Sequence, residues 1–374
     1  MNNVLFKERN LQIERDYNKY PFIVIWEVTR ACALRCLHCR AEAQYNPDPS
    51  QLSFEEGKKL IDEIALMDNP LFVFTGGDPL MRPDLFQLAK YAIEEKNLPV
   101  SMTPSATPKV TREAIRKAKD VGLSRWAFSL DGSCAEIHDH FRGTRGSFDR
   151  TMKGIEYLKE LNIPIQVNTT ISNYNLHDLE KIADKVKEMG AVLWSTFFLV
   201  PTGRGLEKDM VSPEEHEKVM KWLYQIQQKM PYGVKTTEAP HYRRVFLQEK
   251  QRAVSETAGQ ETKREDILGR APQPVNDGDG FVFISHIGDV YPSGFLPIVC
   301  GNVREQSLTD IYQNSPIMKE LRDKSLLKGK CGVCEFNEIC GGSRARAYAM
   351  TGDYLDSDPS CSYIPKALRD KAGE

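Results

Sequence analysis

From about residue 21 to residue 230 the chain alternates between short apolar runs and longer stretches with helix-like spacing. The runs Phe22–Trp26, Leu71–Phe74, Val100–Thr103, Arg125–Leu130, Ile165–Ile171 and Leu193–Leu199 are rich in β-branched and aromatic residues, which predicts strands. Between and after them, Phe54–Met67, Asp84–Glu95, Thr111–Asp120, Phe148–Leu161, Leu176–Met189 and Pro213–Lys229 read as helices, with Leu60, Ile61, Ile64 and Leu66 as an apolar stripe on the first. Six strand-then-helix units predict a parallel α/β architecture. The reading is a partial (β/α)6 TIM-like barrel, with an open doubly wound sheet as the other arrangement the pattern allows. In either, active residues gather at the C-terminal ends of the strands.

The rest of the chain divides by composition. Residues 1–20 form an N-terminal segment, 21–230 the core domain, 231–275 a polar bridge and 276–374 a loop-rich second domain, small enough to need a metal in its core. Charged residues make up 27% of the chain but balance to a net charge of −2, so no basic face for nucleic acid is implied. The opening residues are too polar for a signal peptide, and no apolar run approaches the ~20 residues of a membrane helix. The expectation is a cytoplasmic protein with neither nucleic acid nor membrane as a partner.

In such a compartment the nine cysteines need a reason other than structural disulfides. Cys32, Cys36 and Cys39 lie just after the first strand, on a loop at its catalytic end. Three thiolates can wrap one face of a four-iron cubane and leave one iron open to a further ligand. A zinc site with His38 as a fourth ligand is the competing reading. Cys331, Cys334, Cys340 and Cys361 form a second group, CxxCx5C and then a distant Cys, whose spacing by itself slightly favours a closed zinc knot over a cluster. Cys134 and Cys300 stand apart and are expected to be structural, Cys300 as a small hydrophobe.

CALRCLHC (Cys32–Cys39) resembles the CxxxCxxC signature of the radical S-adenosylmethionine (SAM) superfamily, with His38 where a hydrophobic or aromatic residue is usual. The resemblance extends over most of the chain. It implies a SAM-binding [4Fe-4S] cluster on Cys32, Cys36 and Cys39, and a flavodoxin- or ferredoxin-type electron donor. Gly76, Gly77 and Asp78, in TGGDPL, resemble the loop that contacts the SAM amino group through its backbone. Ser129 and Arg142, in SLDG…HDHFRG, resemble residues that bind the methionine part of SAM, and Arg142 offers a fork for a carboxylate. Asn168 resembles a ribose-facing residue, Thr103 and Ser105 would approach the reacting centre, and Val200 and Pro201 would flank the adenine.

The C-terminal segment resembles a SPASM (twitch-like) iron–sulfur domain, which shifts the reading of its cysteines to an auxiliary [4Fe-4S] cluster on Cys331, Cys334, Cys340 and Cys361. Ser293 and Arg344 stand where a full SPASM domain has further cysteines, so only this one auxiliary cluster is expected. WEVTRACALRCLHCRAEA, TGGDPL and VPTGRG resemble enzymes of heme d1 and alternative heme biosynthesis; other SPASM proteins modify peptides. The resemblance thus implies an oxidoreductase or maturase whose deoxyadenosyl radical oxidises a small tetrapyrrole or a peptide. Glu238, His241, Arg243 and Arg244 are candidates for holding a carboxylate-rich substrate. The roughly 20 residues before the first strand leave no room for a peptide-recognition domain, an expectation that leans away from a leader-peptide enzyme. A radical SAM peptide or protein maturase whose C-terminal cysteines form a structural zinc site is one alternative, and a non-catalytic cluster-binding scaffold another.

Overall fold

The structure, a computed structural model, describes residues 15–256 and 273–369. The first fourteen residues of the N-terminal segment, residues 257–272 of the bridge and the last five of the chain lie outside them. All six anticipated strands form: β1 (Ile23–Glu27), β2 (Leu71–Thr75), β3 (Val100–Met102), β4 (Arg125–Ser129), β5 (Ile165–Ile171) and β6 (Leu193–Phe198). They pair in parallel in sequence order.

The sheet is larger than six strands. β7 (Gly233–Thr237), in the segment read as a bridge, pairs parallel with β6. β8 (Phe281–Ile284) pairs parallel with β1 on its other side, and β9 (Asp289–Tyr291) and β10 (Gly301–Asn302) continue from it antiparallel. The order is β10-β9-β8-β1-β2-β3-β4-β5-β6-β7, ten strands with free edges, so the barrel stays open between β7 and the C-terminal strands. Neither addition shows a strong signal in the sequence: β7 is polar (GVKTT) and β8 is four residues long.

The helices form near the expected places because their ends carry the right chemistry. Ser53 and Glu56 make a reciprocal capping box for Phe54–Ala65, and Ser212 and Glu215 make another for Pro213–Lys229. On the first helix the buried stripe is Gly57, Leu60, Ile61 and Ile64, followed by Met67, whereas Leu66 is 75% exposed. Leu66 therefore lies off the stripe that a 3.6-residue period defines. Alternation along the strands sends Phe72, Phe74, Trp126, Val167 and Trp194 into the core beneath the helices. The alternate residues face the concave side of the sheet. No helix of the described residues is long and apolar enough to cross a membrane.

Candidate active site

Past β1 the chain leaves the sheet and returns on itself. Cys32 N–H donates to the Gln44 carbonyl (2.7 Å) and Gln44 N–H to the Arg30 carbonyl (3.1 Å), which closes a loop containing Cys32, Cys36 and Cys39. Each sulfur receives an N–H donor: from Leu34 to Cys32 (3.4 Å), from the Arg142 guanidinium to Cys36 (3.4 Å) and from Ala43 to Cys39 (3.5 Å). Burial pushes the Cys32 thiol up to about 11 and raises that of Cys36, against which Arg142 works. Thiols that are costly to ionise alone, yet ringed by donors, suit a ligand that brings positive charge. Among the described residues no three His, Cys, Asp or Glu side chains gather closely enough to hold a single metal ion. His38, the candidate fourth zinc ligand, stacks on Phe141 at 4.1 Å.

The glycine loop after β2 is built against this cysteine loop. A Cβ on Gly77 would lie 2.5 Å from the Arg30 carbonyl oxygen, and one on Gly76 2.6 Å from that of Thr29. Gly77 N–H and Asp78 N–H donate to the Thr29 and Ala31 carbonyls (2.8 and 2.7 Å). The close approach these glycines permit is thus to the loop's own backbone. Asp78 is fully buried, accepting from Thr107 Oγ1 (2.6 Å) and from the backbone of Leu80 and Ser105. Burial pushes its carboxyl up to about 6. Ser105 Oγ donates to the Gly77 carbonyl (2.9 Å) and accepts from the Cys32 thiol (3.8 Å), while Thr103 Oγ1 bonds Thr75 Oγ1 (2.9 Å).

Ser129, at the end of β4, sits in register with Asn168 in the middle of β5, both half-buried on the concave face. Arg142 is held in place from within the protein. Its Nε pairs with buried Asp131 at 2.8 Å while the guanidinium also reaches Cys36, so two of its contacts are internal to the protein. Val200 is buried with Leu296, Leu321 and Ala345 and cannot lie open to a ligand. The sequence reading missed Gly203 and Arg204 in VPTGRG. Arg204 donates to the carbonyls of Cys39 (N–H, 3.0 Å) and Cys36 (Nε, 2.9 Å), clamping the loop from beyond β6. Gly203 has φ +59° and lies where a Cβ would be 2.5 Å from the Cys39 carbonyl. A glycine-flanked arginine just past a strand was the available signal.

Cys331, Cys334, Cys340 and Cys361 line one cavity, bordered by His241, Arg244, Lys330 and Asp358. Gly342 N–H donates to Cys340 and Asp358 N–H to Cys331, both at 3.4 Å, and burial pushes Cys340 up to about 12. Four thiols around one cavity are a ligand set for a metal centre. Arg344, in place of a cysteine, ties the carbonyls of Tyr354 and Asp356 together (2.9 and 2.7 Å). Cys300 does not border the cavity; it packs against the main core. Cys134 is exposed, at the start of helix Ala135–Phe141, and so is no part of the core packing.

The charged segment 237–244 serves this second site and not an open pocket. Ser343 Oγ donates to Glu238 (2.6 Å), Arg243 donates to the carbonyls of Ile339 and Val275, and Arg244 pairs with Glu217. The Glu238 and Arg243 contacts fasten β7 and its following helix to the cysteine-bearing segment, while Arg244 ties that helix to Pro213–Lys229.

Residues 26–186 match the radical SAM superfamily, and residues 277–335 match the SPASM iron–sulfur cluster-binding domain. The chain is 42% identical over 349 residues to the AdoMet-dependent heme synthase of Methanosarcina barkeri, covering 92% of this chain and 97% of that protein. It is likewise 42% identical over 352 residues to the AdoMet-dependent heme synthase of Nitratidesulfovibrio vulgaris, covering 92% and 93%. Among solved structures, Streptococcus suis SuiB bound to S-adenosylmethionine has the same fold, with a TM-score of 0.68 at 16% identity over 92% of this chain and 78% of that one. A cysteine loop at the mouth of an open parallel barrel, with a second cysteine site beside it, thus has its explanation: the chain belongs to the radical SAM superfamily and is an enzyme that uses SAM and a [4Fe-4S] cluster, with an auxiliary iron–sulfur domain of the SPASM type.

Proposed function

We propose that this enzyme oxidatively modifies a side chain of an iron tetrapyrrole, as a cytoplasmic AdoMet-dependent heme synthase. The observation that carries the reading is the 42% identity to heme synthases, which covers 92% of this chain and 93–97% of those proteins. When bound, a [4Fe-4S] cluster with SAM supplies a 5′-deoxyadenosyl radical for hydrogen abstraction from substrate. Cys32, Cys36 and Cys39 would hold that cluster; the Gly76–Asp78 loop and Arg204 fix their backbone, and Ser129, Asn168 and Arg142 border the space for SAM. Cys331, Cys334, Cys340 and Cys361 would hold one auxiliary [4Fe-4S] cluster, which supplies a one-electron acceptor. With four protein thiolates it has no open iron for substrate. Reduction would come from a flavodoxin- or ferredoxin-type donor.

The test is anaerobic turnover of the reconstituted enzyme with SAM, a reductant and an iron porphyrin bearing propionate side chains. The expected result is 5′-deoxyadenosine formed together with a mass change confined to the porphyrin side chains. Deoxyadenosine formed at the same rate with and without porphyrin, and no altered porphyrin, would overturn the assignment and turn attention to a peptide substrate.

A further inference from the structure

His241 follows β7, is 1% exposed and lines the cavity of Cys331, Cys334, Cys340 and Cys361. Both of its ring nitrogens are shut off from solvent and have no hydrogen-bond partner. The ring is fixed all the same. It stacks on His216 at 5.8 Å, and His216 in turn packs on Phe198 at 4.7 Å. Burial brings its pKa down to about 4, so the imidazole is neutral at ordinary pH and carries one N–H. A buried donor left without an acceptor is costly, so the place that this N–H goes to needs an account.

The neighbours of His241 do not provide it. The Asp358 carboxylate stands 3.8 Å from Nδ1, beyond hydrogen-bond reach. Its oxygens already accept from Ser343 N–H (2.8 Å), Ser360 N–H (3.0 Å) and Arg346 (3.1 Å). Two cations on the same cavity are engaged elsewhere: Arg244 pairs with Glu217, and Lys330 donates to the Cys361 carbonyl (2.7 Å). Nor do the thiols call for a further donor. Backbone N–H groups serve all four: Asp358 for Cys331, Phe336 for Cys334, Gly342 for Cys340 and Tyr363 for Cys361. What remains is the group that the thiols hold between them. A zinc closed by four thiolates has no atom of its own to accept this proton, whereas a cubane carries inorganic sulfide beside its thiolates.

We propose that His241 is a positioning residue for the auxiliary cluster: its ring N–H donates to a cluster sulfide and raises the potential at which that cluster takes up an electron. The proposal rests on the auxiliary cluster and not on the identity of the substrate. Reduction adds one negative charge, and an N–H donor stabilises the reduced form more than the oxidised one. In turnover one electron leaves the substrate radical and enters this cluster, so His241 favours oxidation of the radical over its reversal.

The experiment is a potentiometric titration followed by electron paramagnetic resonance. It uses the full chain, reconstituted anaerobically, with Cys32, Cys36 and Cys39 changed to Ala so that the remaining iron belongs to the C-terminal site. His241→Phe removes the N–H and keeps an aromatic ring against His216; His241→Gln keeps an N–H. Both variants are expected to retain about four irons per chain. The midpoint of H241F is expected to fall by about 59 mV, about a tenfold loss in the one-electron equilibrium. H241Q is expected to recover at least half of that fall. Equal midpoints for His241 and H241F would overturn the inference. So would an equal fall in H241Q, which would trace the effect to packing, or loss of iron from both variants, the mark of a structural role. About one zinc and no iron in the protein that keeps His241 would overturn the cluster assignment, and this inference with it.

Discussion

Replacing Arg142 with Leu separates two accounts of that residue. If it serves chiefly as a SAM ligand, its loss weakens SAM binding and little else. The geometry instead makes it half of a buried ion pair. Asp131 is 1% exposed, pairs with Arg142 Nε at 2.8 Å and otherwise keeps the N–H of Thr170 at 2.7 Å. Breaking a buried pair by removing one partner costs about 3–5 kcal/mol. Burial already raises the Asp131 carboxyl above the ordinary range against the pull of Arg142, so in R142L it takes up a proton more readily, which holds the cost toward the lower end. Equilibrium urea unfolding under anaerobic conditions can be followed through Trp26, Trp126 and Trp194, all fully buried. With a slope of about 3 kcal/mol per M, the midpoint is expected to drop by about 1 M. The double variant R142L/D131L removes both charges and is expected to recover most of the loss. A single variant within about 1 kcal/mol of wild type, or a double variant no better than the single, would refute the reasoning.

Changing Cys32, Cys36 and Cys39 together to Ala is expected to abolish SAM cleavage yet leave about four irons per chain on the C-terminal cysteines; about one zinc and no iron would show that site to be a structural knot. Gly77→Ala drives a methyl group against the Arg30 and Ala31 carbonyls and is expected to cost about 1–3 kcal/mol and to lower iron content, with an unchanged iron-to-protein ratio as the contrary result. Asp78 gives a pH signature: burial lifts its folded carboxyl from 3.8 to about 6, so the folded state holds this proton more tightly than the unfolded chain. Its contribution to stability is full below the unfolded value and is lost as pH rises through about 6. Asp78→Asn lacks that loss, and its stability relative to wild type is expected to improve by about 1 kcal/mol or more between pH 5 and 8; a constant difference across that range would count against it.

Much of the molecule was legible because its signals are local. Strand-like runs and capping residues near one another in sequence marked the six βα units, and CALRCLHC marked the cysteine loop. The parts that escaped depend on distant partners. β7 reads as polar because one face looks onto the open concavity and carries Lys235. β8 is recognisable as a strand of the main sheet only once β1 is known to have a free side. Gly76 and Gly77 drew notice as a ligand loop, but what they touch lies some 47 residues earlier in the chain, at Thr29 and Arg30. Glu238 and Arg243 read as substrate-binding candidates, and only the docking of the C-terminal segment reveals their partners.

The pairing of β1 with β8 also sets an order of events. The strand that launches the cysteine loop leaves the ribosome well before the one that covers its flank, which begins at residue 281. Until then β1 offers an unpaired row of N–H and C=O groups beside an apolar face, the kind of edge that recruits foreign strands. For most of the time the chain is being made, its catalytic loop therefore hangs from a half-finished sheet. Only the arrival of the C-terminal domain, with its own cysteines, finishes it, so the two metal-bearing ends of the protein mature as one unit.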